Sequence, residues 1–241
     1  MSDFNTVQLD KILFLDIETV PQFNEFKKLP AETQLLWEKK ATKISENERT
    51  AADVYNKAGI YSEFGKIICI SVGFLKRQGE ELVARVKSFY GDDEKVILEN
   101  FNAMVIKYFN SPETFLCAHN GKEFDFPYIA RRTLINGLSI PHCLDTRGQK
   151  PWEIRHFDTL ELWRFGDYKS YTSLELLTHV FNIPTPKDDI AGDQVCKIYW
   201  EDKDLQRIAT YCQKDVVAII QLFLRYKNLP IIKPDKILVA D

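Results

Sequence analysis

The chain has 241 residues, 45% of them hydrophobic and 12% aromatic, which is enough to bury the core of one domain spanning 1–241. The net charge of −3 and the pI of about 5.9 exclude a polycation of the chromatin type, so local basic patches have to hold any nucleic-acid partner. The start has no signal-peptide pattern, the apolar-rich run at 67–75 is too short for a membrane span, and five dispersed cysteines indicate reduced thiols. We therefore expect a cytoplasmic protein with no membrane partner.

The first elements are a strand, an insertion and a hairpin. Residues 11–17, KILFLDI, predict a buried strand because they are β-prone and almost continuously apolar. The charged stretch at about 21–62 predicts a mostly helical, partly exposed insertion, longer than an ordinary connection between strands. Two strands then join in a hairpin at Arg77–Glu80, where Gly79 provides the turn.

Helices and short strands alternate in the rest of the chain. Asp92 and Asp93 precede apolar residues at helical spacing, so they predict the cap of a helix. Further elements are expected as strands at 113–120 and 155–163 and as helices at 124–138, 173–184 and 205–229. This order predicts an α/β fold in which a mixed five-stranded sheet carries helices on both faces. In such sheets, ligands bind beyond the carboxyl ends of the strands.

Two carboxylates lie at the end of the first strand. Asp16 and Glu18 are two residues apart, so they point to the same face with their Cβ atoms about 7 Å apart. Two like charges at the edge of an apolar core repel each other, and a bound Mg²⁺ or Mn²⁺ would remove that repulsion. The alternative is that both carboxylates are simply hydrated at a strand end.

Two later segments carry similar signals. Asp125 follows the strand-to-turn segment CAHNGKEF and stands at the start of a helix, where the helix dipole alone would also explain it. Tyr211 and Asp215 are four residues apart and share one face of the longest helix. A hydrated aspartate and a half-buried core tyrosine remain the alternatives for this last pair.

The three segments in this order resemble the DEDD superfamily of 3′–5′ exonucleases. The resemblance rests on Asp16-Ile17-Glu18, on Asn120 with Asp125 five residues later, and on Tyr211 with Asp215; the tyrosine is typical of the DEDDy branch. The stretches IYSEFGKI (60–67), FDTLELW (157–163) and YCQKDV (211–216) are most similar to the predicted exonuclease family related to the proofreading domain of family B DNA polymerases.

The resemblance implies a ribonuclease-H-like fold and hydrolysis with two Mg²⁺ or Mn²⁺ ions. It implies that Asp16 bridges the ions while Glu18, Asp125 and Asp215 complete their ligands, and that Tyr211 orients the attacking water. The expected substrate is the 3′ end of single-stranded DNA; RNA and a non-catalytic nucleic-acid-binding module are the alternatives. A separate polymerase or repair protein is a further partner that the resemblance leaves open.

Several residues near these motifs are candidates for substrate binding. Lys122, Arg131 and Arg132 could hold phosphates, although a hydrated helix face explains them equally well. Tyr61 and Phe64, which close the insertion, are candidates for contacting terminal bases. We expect Asn120 to support its turn or touch substrate, the 188–193 loop to be hydrated or to contact substrate, and Asp158 to be structural. The sequence candidates for substrate binding are thus Asn120, Lys122, Arg131, Arg132, Tyr61 and Phe64.

Overall fold

One mixed β-sheet organises the residues that the computed structural model describes, which are 3–44, 49–169, 171–184 and 190–240. Within them the strands are β1 (Ile12–Pro21), β2 (Gly65–Gln78), β3 (Glu81–Tyr90), β4 (Phe115–Ala118), β5 (Phe157–Asp158) and β6 (Ile237–Ala240). Their order in the sheet is β5-β4-β1-β2-β3-β6. The pairs β1–β2 and β2–β3 are antiparallel, and the pairs β1–β4, β4–β5 and β3–β6 are parallel.

The described sheet has six strands, so the expectation of five was one strand short. The additional strand is β6, which pairs Ile237 with Ala84 at the free edge of β3. It follows the chain's last turn, from Pro234 to Lys236, and has only four residues. Four residues are too few to show a clear hydrophobic periodicity, so the sequence alone does not predict this strand. Its partner, β3, also lies about 150 residues earlier in the sequence.

Helices cover both faces of the sheet, as the alternation in β1 requires. The described helices are α1 (Asp3–Thr6), α2 (Ala31–Ile44), α3 (Glu94–Tyr108), α4 (Asp125–Ile135), α5 (Thr159–Arg164), α6 (Leu174–Val180), α7 (Val195–Lys197) and α8 (Leu205–Tyr226). Leu13 and Leu15 pack in the core with α3 and α4, whereas Ile12 and Phe14 pack in the core with α8. None of the described helices is long and apolar enough to cross a membrane.

The expected strand at 155–163 is largely a helix. Only Phe157 and Asp158 pair with β4, and α5 begins at Thr159. The Asp158 carboxylate accepts hydrogen bonds from the backbone N–H groups of Leu160 (2.9 Å) and Glu161 (3.3 Å), which is the geometry of a helix N-cap. The N-cap at Asp158 therefore starts a helix at Thr159, although the alternating apolar and polar residues favour a strand.

The segment between β1 and β2 forms a small core of its own around Trp37, which is fully buried. It contains α2 and short 3₁₀ turns at 26–28 and 55–60, which agrees with a mostly helical insertion, although 45–48 lie outside the described residues. A Cβ atom added at Gly59 would lie 3.1–3.3 Å from Val20 and Pro21. The insertion therefore packs directly against the carboxyl end of β1.

Candidate active site

Asp16 and Glu18 lie on the face of β1 that α8 covers. They continue the alternation of Ile12 and Phe14, and β2 places Ser71 and Cys69 opposite them. One carboxylate oxygen of each residue and the Sγ atom of Cys212 all lie within 4.8 Å of one another. The Cys212 thiol donates to the Asp16 Oδ2 atom at 3.3 Å, so a residue of α8 contacts the first carboxylate directly.

Asp125 joins the same site from the other side of β1. It is the first residue of α4, follows the N-cap residue Phe124 and is 3% exposed. Its Oδ1 atom accepts a hydrogen bond of 3.1 Å from the backbone N–H of Ile17, the residue between Asp16 and Glu18. This hydrogen bond connects the first residue of α4 to β1 at Ile17, between Asp16 and Glu18.

Tyr211 and Asp215 reach the site from α8, one helical turn apart. Asp215 lies close enough to the Tyr211 hydroxyl for its charge to act on that group. A Cβ atom added at Gly192 would lie 3.9 Å from that hydroxyl, so the loop before α7 passes close to Tyr211. The four acids Asp16, Glu18, Asp125 and Asp215 therefore come together, and we refer to them as the carboxylate site.

Burial and mutual repulsion dominate the electrostatics of the carboxylate site. Burial raises the pKa of Asp16 well above its usual range, and the charges of Asp125, Asp215 and Glu18 raise it further. The pKa of Glu18 is raised by burial first and then by Asp215, and burial raises that of Asp125 to about 7. Among the described residues, the charges that act on Asp16 are all negative, and no lysine or arginine offsets them. A cation from outside the chain would therefore stabilise the site.

This donor set fits hard divalent cations. Carboxylate oxygens are the ligands that Mg²⁺ and Mn²⁺ prefer, and four carboxylates at one strand end supply enough negative charge for two such ions. The pKa of Tyr211 is also raised, by burial and then by the charges of Asp215 and Glu18. Its hydroxyl is therefore a hydrogen-bond donor at neutral pH and not a base.

The turn after β4 is held by Asp158, as expected for a structural residue. Besides capping α5, its carboxylate accepts the backbone N–H groups of Asn120 at 2.9 Å and Lys122 at 3.1 Å. Asn120 has a φ of 63°, in the left-handed region that Asn tolerates well. Asn120 thus supports the turn that leads to Asp125, while any contact of its side chain with substrate stays a prediction.

The basic residues beside the second motif differ in their surroundings. The Lys122 ammonium pairs with Glu161 at 2.5 Å, so a phosphate would have to compete with that carboxylate. Arg131 is exposed and stays a prediction as a phosphate ligand. Arg132 is 5% exposed, and its guanidinium binds the Glu94 carboxylate and the Ser62 carbonyl oxygen, so its prediction as a substrate ligand is wrong.

The two aromatic residues at the end of the insertion pack on its core. The ring centroids of Tyr61 and Phe64 lie 6.2 and 5.2 Å from that of Trp37. The Lys40 ammonium lies 4.0 Å from the centroid of the Tyr61 ring. Both side chains are half-buried, so they stabilise the insertion, and their contact with a terminal base stays a prediction.

Two residues at the site were not predicted from the sequence. Cys212 contacts Asp16, and Tyr171 lies near enough for Asp125, Asp158, Asp16 and Asp215 to raise the pKa of its hydroxyl further, after burial. Cys212 follows Tyr211 directly, so its place inside the third motif is the signal that could have revealed it. Tyr171 lies in a loop, and its sequence neighbours give no comparable signal.

Comparison with solved structures places the fold among polymerase exonuclease domains. The structure is similar to the family B DNA polymerase from the archaeon Pyrobaculum calidifontis, with a TM-score of 0.50 and 16% identity over 88% of this chain and 24% of that chain. A product-bound exonuclease I gives a TM-score of 0.41, with 12% identity over 88% of this chain and 44% of that one. Exonuclease I of E. coli in complex with a dT13 oligonucleotide gives a TM-score of 0.38, with 13% identity over 89% of this chain and 41% of that chain. The chain therefore spans less than half the length of these proteins. The similarity to the family B polymerase confirms the expected ribonuclease-H-like fold.

The protein family follows from the sequence match. Residues 60–231 match the family described as a predicted 3′–5′ exonuclease related to the exonuclease domain of PolB. The chain belongs to this family, which confirms the expected relationship. The matched range contains Asp125, Tyr211 and Asp215 but begins after β1. The place of Asp16 and Glu18 in the site therefore rests on the sheet geometry described above.

Proposed function

We propose that the protein is a metal-dependent 3′–5′ exonuclease that hydrolyses single-stranded DNA from its 3′ end. The observation that carries the proposal is the convergence of the four acids of the carboxylate site on one end of β1. Burial raises the pKa values of Asp16, Glu18 and Asp125 there, and repulsion by neighbouring acids of the site raises those of Asp16 and Glu18 further. A stable protein has little reason to bury such a cluster unless cations neutralise it in use. Membership of a family of predicted exonucleases supports the same reaction.

Each residue of the site has a distinct role in this proposal. Asp16, Glu18, Asp125 and Asp215 would hold two Mg²⁺ or Mn²⁺ ions, which supply Lewis-acid polarisation of the scissile phosphate and lower the pKa of the attacking water. Tyr211 would orient that water through its hydroxyl, which lies near Asp215. The bond from Ile17 to Asp125 keeps the carboxylates of β1 and α4 in register during turnover.

Two alternatives follow from the same geometry. The same hydrolysis on RNA differs only in the recognition of the 2′-hydroxyl group, for which we assign no residue. A non-catalytic binding module would need none of the buried repulsion, so the intact set of four acids and Tyr211 favours the enzyme.

Digestion of labelled oligonucleotides tests the proposal. Matched DNA and RNA strands carrying a label at the 5′ end are incubated with Mg²⁺, Mn²⁺ or EDTA, and the products are separated by length. We expect a ladder that shortens by single nucleotides from the 3′ end of DNA with either metal, and no products in EDTA. Digestion of RNA alone would assign the ribonuclease alternative, and the absence of products with both strands would refute the proposed reaction.

A further inference from the structure

Three aromatic side chains are exposed between α5 and α6. Phe165 is 90% exposed, Tyr168 is 68% exposed and Tyr171 is 61% exposed. We call these three residues the aromatic segment. Exposed aromatic rings leave apolar surface in contact with water. A group of such rings close together in sequence therefore indicates a binding surface.

Both ends of the aromatic segment are fixed to the protein. Before it, Trp163 of α5 stacks on Tyr226 of α8, with 6.4 Å between the ring centroids and 14° between the rings. After it, the Ser173 side chain caps α6 by accepting the backbone N–H of Leu176 at 3.2 Å. The three rings therefore lie between two anchored helices, which preorganises them.

The backbone at the start of the segment is in an unusual conformation. Phe165 has a φ of 45° and a ψ of 33°, in the left-handed region that a bulky residue rarely adopts. Its side chain is almost fully exposed, so packing within the described residues does not compensate for this conformation. Strain of this kind tends to occur where a loop presents side chains to a ligand.

The other end of the segment lies at the carboxylate site. The Tyr171 ring meets the ring of His119 edge to face, with 6.0 Å between centroids. His119 follows the last residue of β4, and its Nε2–H donates to the Thr172 carbonyl oxygen at 2.9 Å. This contact and bond fix Tyr171 beside the turn that leads to Asp125.

We propose that the aromatic segment is the platform on which the bases of the single strand stack, with Tyr171 next to the nucleotide being removed. The inference rests on the proposed function, because it names the surface that presents the strand to the carboxylate site. Exposed rings leading to the site are what a flexible strand with unpaired bases requires, since every base can stack on them. The Arg164 guanidinium lies 5.2 Å from the centroid of the Tyr168 ring and adds a cation to the platform.

Binding measurements without turnover test the platform. Fluorescence anisotropy in EDTA compares a labelled oligothymidylate of about 12 nucleotides with an abasic strand of the same length and charge. We expect Tyr171→Ala to weaken binding of the oligothymidylate about 5- to 100-fold and to leave the abasic strand unaffected. Tyr171→Phe keeps the ring and should bind as the wild type does.

Tyr108 provides a matched control. It is also 61% exposed, and it ends α3, before the start of β4 and away from the carboxyl ends of the strands. Tyr108→Ala should not change binding of either strand. Equal binding of the oligothymidylate by Tyr171→Ala, Tyr168→Ala and the wild type, or an equal loss on the abasic strand, would overturn the platform.

A second assay separates failure of the platform from failure of the proposed function. Hydrolysis of the p-nitrophenyl ester of a nucleotide with Mn²⁺ needs the carboxylate site but no neighbouring bases. We expect Tyr108→Ala, which lies outside the platform, to leave this hydrolysis unchanged. If the wild type cleaves neither the ester nor any oligonucleotide while Tyr171→Ala still loses base-dependent binding, the proposed exonuclease is refuted and the stacking of bases on the aromatic segment stands. If the wild type cleaves both and Tyr171→Ala binds normally, the platform is refuted and the exonuclease stands.

Discussion

The buried ion pair of Glu94 and Arg132 gives a quantitative prediction. Arg132→Met removes the guanidinium from the Glu94 carboxylate, which is 7% exposed in the wild type. Glu94 then keeps hydrogen bonds from the Ile67 N–H group at 2.7 Å and the Asn136 side-chain amide at 2.9 Å. Removing one partner of a buried pair costs about 3–5 kcal/mol because the other charge stays buried. For a chain of this size, that loss lowers the melting temperature by roughly 6–20 °C.

Urea denaturation of three variants isolates this effect. Arg131→Met changes the neighbouring exposed arginine and should alter the free energy of unfolding by no more than about 0.5 kcal/mol. Glu94→Gln combined with Arg132→Met removes both charges and should recover part of the loss. A cost below about 1 kcal/mol for Arg132→Met, together with weaker binding of single-stranded DNA, would refute the structural role and restore Arg132 as a phosphate ligand.

Three other substitutions test separate parts of the account. Asp215→Asn removes a charge that raises the pKa of Asp16 and Glu18, so it should abolish hydrolysis while the free energy of unfolding without metal, measured in urea, stays equal or rises. Tyr211→Phe should lower the turnover number about 10- to 1000-fold with little change in DNA binding, as single-turnover kinetics and anisotropy would show. Burial lowers the pKa of His156 to about 4 from its ordinary value near 6.5, so the unfolded chain binds the proton first and stability falls as the pH drops from about 6.5 to 4. This loss is at most about 3 kcal/mol, and it should be missing from the pH dependence of unfolding of His156→Gln.

The elements with strong local patterns could be predicted from the sequence. The apolar strand β1 and the long helix α8 stand where their periodicity places them, and Asp93 caps α3 by accepting the backbone N–H of Lys95 at 3.0 Å. The hairpin turns at Gly79, whose φ is 66°. These features depend on neighbouring residues, so the sequence contains most of the information that determines them.

Features that depend on distant partners could not be predicted in the same way. Arg132 resembles a surface arginine until Glu94, 38 residues earlier, is known to lie beside it. Cys212 reaches Asp16 across 196 residues of sequence. Tyr171 lies near the carboxylate site, where His119 contacts its ring and bonds to the next residue, Thr172. The motif spacing therefore indicates which acids converge, whereas the surrounding contacts are products of tertiary packing.

Isothermal titration calorimetry of the metal-free protein with Mn²⁺ tests most directly whether the carboxylates form a metal site. We expect the wild type to bind the ion and Asp16→Asn to lose most of this affinity while remaining folded, because carboxylate oxygens of Asp16 and Glu18 lie within 4.8 Å of each other. Glu161→Gln serves as the control, since Glu161 pairs with Lys122 and is not part of the site. Equal Mn²⁺ affinity in the wild type and Asp16→Asn would contradict the central claim.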